Sequence, residues 1–388
     1  MLWAEHVAKN TAGEREDVFA EVKRQFTHAE LVELTGICGL FAVSNRFQDS
    51  MRLPIEEQGE VDKIRQSVRA DPARLKAYVE RLVEHWPQAF PSSPALLPEQ
   101  RAAVASLTPS PSPGGRGERR AADARHLDRE GSTVLPSPSG RGIESEGGFS
   151  VAAYQRLAVK ATSKGIVHCR VLLLGPATTT GDAAHFFAAA ERLLGGVPNT
   201  VRVWGHVPHV GKLVLPFFVA IERAGCGSVL PAALKLLVIA RTSHINSANY
   251  TLAHALAIAH AEGAFEDQLD ELANVQCVSS PRFSERERAA LVWAQHVAQN
   301  TAKYHDAVFE ELKRYFNDAE IVELTGLCAE TNMVNRFCNA LRVPVESTAE
   351  IAALYRTSSI DPARLRAYLE TVLADWPQQR PVPDAMMA

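Results

Sequence analysis

Apolar positions recur at threes and fours at both ends of the chain, the spacing of amphipathic helices. Near the start, Ala4, Val7, Val18, Phe19, Val22 and Phe26 fit a helix pair. Thr27-His-Ala-Glu30 is a capping box, in which the Thr27 hydroxyl takes the Glu30 backbone N–H and the Glu30 side chain reaches back. The pattern then predicts a helix from His28 to about Met51, with Leu31, Leu34, Ile37, Cys38 and Phe41 on one face. Asp71-Pro72 opens another, with the acid as N-cap and proline in the first turn. Further on, Asp182 is placed to cap a helix through Ala183, Phe186, Phe187, Ala190, Leu193 and Leu194, stopped by Gly195-Gly196. Pro198 and Pro208 open short helices. Pro216, inside the apolar run from Lys212 to Ala224, predicts a late start or a kink. Glu266 to Asn274 reads as a polar helix, and Ser284-Glu-Arg-Glu287 as a second capping box. The best strand candidate, RVLLLG at 170–175, is short, so the expected fold class is all-α.

One apolar stretch stands at the centre of this pattern: Leu234 to Gly263, LKLLVIARTSHINSANYTLAHALAIAHAEG without a charged residue between Arg241 and Glu262. It is helical in character and broken once, at His244-Ile-Asn-Ser-Ala-Asn-Tyr250. The break sets small polar groups and a histidine between two helical runs.

The pattern of the first 90 residues returns at an offset of 290. Trp3-Ala-Glu-His6 becomes Trp293-Ala-Gln-His296, AELVELTGIC (29–38) becomes AEIVELTGLC (319–328), Asn45-Arg-Phe47 becomes Asn335-Arg-Phe337, and Asp71-Pro-Ala-Arg74 becomes Asp361-Pro-Ala-Arg364. Two gapless copies point to duplication, and a period this long is not a solenoid. Residues 91–148 differ. TPSPSPGGRGERR and LPSPSGRGIESEGG have no apolar period and too little apolar surface to offset ordering, which predicts a flexible linker. They resemble translated intergenic repeat DNA, so the expected organisation is a fusion of two tandem genes: a half-module at 1–90 (a copy of 291–380), the linker, and a complete domain at 149–388. The half-copy lacks everything upstream of its first helices, so it should dock, on the third region or on another subunit, to cover its apolar face.

Composition narrows the function. Over 388 residues the net charge is -4 with both signs scattered, which calls for neither a nucleic acid nor an acidic membrane as partner. No run reaches the 18 or so apolar residues of a membrane span. The N-terminal residues lack a signal-peptide pattern, so a cytoplasmic location is expected. Six cysteines form no Cys-x-x-Cys and no zinc-ligand spacing, and read as buried apolar residues. His254 and His260 are six apart, the wrong interval for two ligands on one helix face, so no metal is expected, and no cofactor.

RVLLLGPATTTGDAAHFFAAAERLLGGVPNTVRVWGHVPHV (170–210), LKLLVIARTSHINSANYTLAH (234–254), Gly263 and FNDAEIVELTG…NRF…LRVP (316–344) together resemble the carboxymuconolactone decarboxylase family, which includes the alkyl hydroperoxidase D-like (AhpD-like) proteins. The resemblance spans the third region, and residues 1–90 match its C-terminal half alone. It implies an all-α helical array, a small-molecule substrate, and homo-oligomers, usually trimers or hexamers. Redox-active members open a helix with Cys-x-x-Cys, followed by a histidine four residues on, with a glutamate one helix upstream. Here those thiols are missing. Counting back from His254 puts Ser247 and Tyr250 in the cysteine places; matching on Tyr250 and Gly263 puts Ala248 and Thr251 there. Lys235 or Leu236 takes the place of the acid.

The candidate catalytic residues are therefore His254, for proton transfer near neutral pH, with Tyr250 and Ser247 orienting a substrate. Each has a structural reading as well: a packed histidine, a buried tyrosine bonded to a carbonyl, an N-cap at Ser247 or Asn246. His206 and His209 are weaker candidates for the same cleft. Glu323 with Arg336 reads as a structural ion pair. Three functions remain open: an enzyme of this class working without redox thiols, a relative retained as a binding or oligomerising module, and a peroxidase (peroxiredoxin-type) using a displaced cysteine such as Cys226, Cys328 or Cys338.

Overall fold

In the computed structural model every regular element is a helix. Described are residues 1–65, 71–90, 168–261, 268, 271–347, 350–351, 354 and 358–377. Residues 91–148 lie outside the described residues, as do 266, 267, 269 and 270 of the polar helix read at 266–274. Among those described, the one β-type contact is an isolated bridge between Ala224 and Ser359. RVLLLG forms no strand. Instead Arg170 is buried there, donating to the carbonyls of Ala12 (2.7 Å) and Ala340 (2.8 Å), so the segment serves as a tie rather than a sheet edge.

The N-terminal copy comprises α1 (Leu2–Ala8), α2 (Glu16–Gln25), α3 (His28–Met51), α4 (Gln58–Arg65) and α5 (Pro72–Glu84). The rest comprises α6 (Gly181–Leu194), α7 (Asn199–Trp204), α8 (Pro208–Glu222), α9 (Ala232–Ile245), α10 (Asn249–Ala261), α11 (Glu285–Gln299), α12 (Asp306–Lys313), α13 (Asp318–Leu341) and α14 (Pro362–Ala374). Both predicted capping boxes form, at Thr27 and Ser284, and Asp71 caps α5 as expected. Two expectations shift. The N-cap of α6 is Thr180, and Asp182 falls in the first turn, where it faces His209 at 3.5 Å. Pro216 neither delays nor ends α8. A proline removes the N–H that would bond the carbonyl four residues back, here Lys212, and the Tyr368 hydroxyl donates to that carbonyl instead (2.9 Å).

The two copies pair with each other about a pseudo-two-fold axis. Helix α3 packs along α13, its own counterpart at +290, and α5 packs against α14. The contacts come in reciprocal pairs, as in an isologous dimer. Arg46 Nε donates to the Ala298 carbonyl (3.4 Å) and Arg336 Nε to the Ala8 carbonyl (3.2 Å). Arg52 bonds the Lys303 carbonyl and pairs with Asp306, while Arg342 bonds the Gly13 carbonyl (2.7 Å) and pairs with Glu16 (2.9 Å). Within each copy a buried tryptophan donates to a threonine hydroxyl: Trp3 to Thr35 (3.1 Å), Trp293 to Thr325 (2.9 Å). The N-terminal half-copy thus docks on the third region, but through this axis and not through the apolar face that the sequence suggested. Leu31 of that face is buried, whereas Ile37 and Phe41 are 48% and 64% exposed. On α13 the matching positions, Leu327 and Thr331, are buried, because α8, α9 and α10 pack there and the half-copy has no such helices.

The Glu323–Arg336 ion pair does not form. Thirteen residues apart on one helix, they are separated by about 20 Å along the axis. Glu323 instead pairs with the buried Lys235 (2.5 Å) and accepts from the Val229 N–H and the Ser228 hydroxyl.

A candidate active site between α7, α8 and α10

A cavity of about 120 Å³ lies among α6 to α10 and α13. That is near the ~150 Å³ of engineered cavities that hold benzene. Most of its wall is apolar: Phe186, Trp204, Leu215, Phe218, Ile239 and Phe337. Trp204 and Phe337 stack face to face, ring centroids 4.7 Å apart, which fixes one wall. The polar lining comprises Tyr250, Thr251 and His254 from α10, Thr200 from α7, Glu222 and Arg223 at the end of α8, and Ser358 before α14.

Helix α10 carries Tyr250 and His254 four residues apart, so their rings sit one above the other, centroids 4.3 Å apart. Both reach one carboxylate, Glu346, in the segment after α13. The Tyr250 hydroxyl donates to Glu346 Oε1 (2.7 Å), and His254 Nε2 lies 2.7 Å from Oε2. The Asn199 N–H, in the first turn of α7, also donates to Oε1 (2.5 Å). Burial alone would push the Glu346 carboxyl up. His254, the Asn199 N–H and the Tyr250 hydroxyl outweigh that and hold it below the ordinary carboxylate range. Burial and then the nearby Glu346 keep the Tyr250 phenol strongly protonated.

Of the residues read from sequence, His254 and Tyr250 meet in this cavity. Ser247 does not: it is exposed on the turn between α9 and α10, in the left-handed region (φ 52°). Neither it nor Asn246 caps α10 as expected; Asn246 closes α9, and its carbonyl accepts from Asn10 (2.7 Å). Thr251, the alternative thiol place, lines the cavity, buried, with its hydroxyl lacking a hydrogen-bond partner among the described residues. His206 bonds the Leu172 carbonyl and His209 faces Asp182, both away from the cavity lining. His244 is held near pKa 4 by burial and by Arg241.

No cysteine lines the cavity. All six are unpaired thiols. Burial raises Cys328 and Cys338 far above the ordinary thiol range, and Cys226 is pushed up to about 11 by burial and by Asp361. Among the described residues, no three His, Cys, Asp or Glu side chains are grouped to hold a metal, and no helix is long and apolar enough to cross a membrane.

Sequence reasoning missed Glu346 and Glu222. Glu346 ends LRVPVE, which repeats as MRLPIE at 51–56, so the repeat itself made it look structural. Glu222 stands alone before Arg223 with no pattern around it.

No family model matches the chain. A protein of Escherichia coli (strain K12), the uncharacterized protein YnjA, is 29% identical over 162 residues, which is 42% of this chain and 86% of YnjA. Two crystal structures of the debrominase Bmp8 overlap with the chain at 22% identity. The apo form has a TM-score of 0.34, with 49% of this chain and 91% of Bmp8 covered. A cysteine-to-alanine variant bound to 2,3,4-tribromopyrrole has a TM-score of 0.33, with 48% and 89% covered. TM-scores this low do not establish a shared fold.

Proposed function

We propose that this chain is a carboxymuconolactone decarboxylase/AhpD-like protein that takes a small, largely apolar organic molecule into this cavity and moves a proton through His254 without a redox thiol. The observation that carries the reading is that Tyr250 and His254, both lining a mostly apolar pocket, are bonded to one buried carboxylate, Glu346. With an ionised Glu346 accepting from His254 Nε2–H, Nδ1 is the basic ring nitrogen. It takes a proton from the substrate, Glu346 stabilises the imidazolium, and the proton returns to the product. Tyr250 and Asn199 fix the carboxylate, so Tyr250 acts here as a positioning residue. The sequence resemblance supports the substrate size. It also implies a homo-oligomer, trimer or hexamer, for which light scattering of the full chain is the test.

The second reading, a binding module without turnover, draws on the same observation, since the three polar groups already satisfy one another. Proton–deuterium exchange into a panel of small cyclic ketones and lactones, followed by NMR, separates the two. The wild type should exchange at least one panel member, and His254→Ala should slow it by about 10²-fold or more, with Glu346→Gln close behind. Equal rates in wild type and His254→Ala across the panel would leave the binding module.

A further inference from the structure

The cavity has a second acid–base group that the His254 constellation does not use. Glu222 is the last residue of α8 and lines the cavity. Its place is fixed from both sides: Lys235 Nζ, itself fully buried, donates to the carbonyls of Ile221 (2.8 Å) and Arg223 (2.9 Å), and is held by Glu323. A helix C-terminus disfavours a negative charge. Behind Glu222 stands Glu330, on α13, fully buried. Neither Glu330 oxygen has a well-formed hydrogen-bond partner among the described residues, and its polar neighbours are the Glu222 carboxyl and the Thr331 hydroxyl. Two carboxyls packed together in an apolar wall cannot both ionise.

We propose that Glu222 acts as a carboxylic acid that, with the Thr251 hydroxyl, donates hydrogen bonds to a substrate oxygen, so that the cavity takes small carbonyl compounds bearing a removable proton beside the carbonyl. This deepens the reading given above and rests on it. Thr251 supplies the independent sign of a ligand: it is 6% exposed, lines the cavity, and its hydroxyl has no hydrogen-bond partner among the described residues. His254 Nδ1 takes the proton from the carbon. The C–H electron pair becomes a carbon–carbon double bond, and the carbonyl oxygen becomes an enolate held by the two donors. His254 then returns its proton to the same or a conjugated carbon. Nothing is oxidised and no co-reactant is consumed. The charged groups facing Glu222 are Glu330, Arg223, His254 and Lys235. Burial is the largest influence and raises its pKa, outweighing Arg223, His254, the hydrogen bond with Glu330 and Lys235, and Lys235 is already engaged by Glu323.

The test is binding of three probes to the full chain at pH 8: toluene, para-nitrophenolate and benzylamine. Toluene reports on the cavity. Para-nitrophenolate should bind more tightly than toluene. Glu222→Ala should weaken it about tenfold, Thr251→Val should weaken it less, and Glu222→Gln, which keeps a donor, should hold it within about threefold, with toluene unchanged in all three. Benzylamine binding tighter than para-nitrophenolate and lost in Glu222→Ala would show an ionised pair and overturn the proposal, as would para-nitrophenolate binding indifferent to Glu222. Failure of all three probes to bind would instead overturn the cavity reading, and this proposal with it.

Discussion

The two copies at 2–84 and 292–374 share a scaffold and differ in chemistry. Each has its Trp–Thr bond, its histidine on a threonine (His6–Thr11 at 2.7 Å, His296–Thr301 at 2.9 Å), its capping box and its arginine reaching across the axis. What the second copy adds is polar groups at positions that are apolar or solvated in the first. Glu330 matches Leu40, which is exposed. Glu346 matches Glu56, which is also exposed. The difference follows from what covers each copy. Where α8, α9 and α10 lie over α13, the Glu330 carboxyl is forced out of water. On α3, where no such helices pack among the described residues, the same position holds the exposed Leu40. The scaffold is common to both copies, and the candidate site depends on burial by helices that only the second copy has over it.

The largest effects should fall where the copies agree. Trp3 and Trp293 are both buried and bonded alike, so each to Ala should cost about 3–5 kcal/mol in denaturant unfolding. A cost below about 1 kcal/mol for Trp3 alone would show that the N-terminal copy is an appendage, contrary to the continuous core it shares with α6, α7 and α14.

A smaller effect tests the axis. A Cβ on Gly36 would lie 2.5 Å from Trp204 Cη2, whereas one on the matching Gly326 would meet only Ile221 Cδ1, at 3.1 Å. Ala in place of a helical Gly gains about 1 kcal/mol in propensity. Against a stacked, buried tryptophan that gain is outweighed by overpacking of about 1–3 kcal/mol. Gly36→Ala should therefore destabilise, and Gly326→Ala should be neutral or stabilising. Equal thermal shifts would break the asymmetry.

Glu330→Leu, which gives the second copy the residue of the first, should stabilise. Burial and then Glu222 raise the Glu330 carboxyl well above its ordinary range. Between the unfolded and folded pKa the native state therefore holds more protons than the unfolded one. Wild-type stability falls as pH rises above the ordinary carboxylate range of about 4.3. The leucine variant removes that slope, so its advantage should grow from pH 4 towards neutrality. An advantage that is constant with pH would mean that Glu330 ionises freely.

The fold was legible because its signals are local. Capping boxes at Thr27 and Ser284, the apolar period of α3 and the glycine after α6 act within a turn or two of chain. The repeat was legible too, but not its consequence: that the copies pair with each other depends on contacts such as Arg46 to Ala298, 252 residues apart. The site was half legible. His254 and Tyr250 share one helix at a readable spacing. Their common partner Glu346 arrives from 92 residues away, and Ser247 looked equivalent to them until the turn placed it in the left-handed region, facing outward. The late start expected from Pro216 did not occur, and the carbonyl it leaves without a partner is met by the Tyr368 hydroxyl from α14.

The smallest effect concerns the charges that tie the copies at the rim. Glu16 receives Arg170 (3.0 Å) and Arg342 (2.9 Å), and its counterpart Asp306 receives Arg52. Both acids are well exposed, so solvent screening keeps each pair within about 1 kcal/mol. They are not equal, however. Arg170 is buried, and its hydrogen bond, followed by its charge and that of Arg342, holds the Glu16 carboxyl below its ordinary range. A lowered acid contributes stability above its unfolded pKa and loses it as pH falls through the folded one. Glu16→Gln should thus cost a few tenths to about 1 kcal/mol at pH 7, and that cost should fade as pH falls below the ordinary carboxylate range. Asp306→Asn, whose arginine is exposed, should cost less at pH 7. If Asp306→Asn proved the costlier, the rim would not be organised by the buried Arg170, and the pseudo-symmetry of these charges would be one of position without energy.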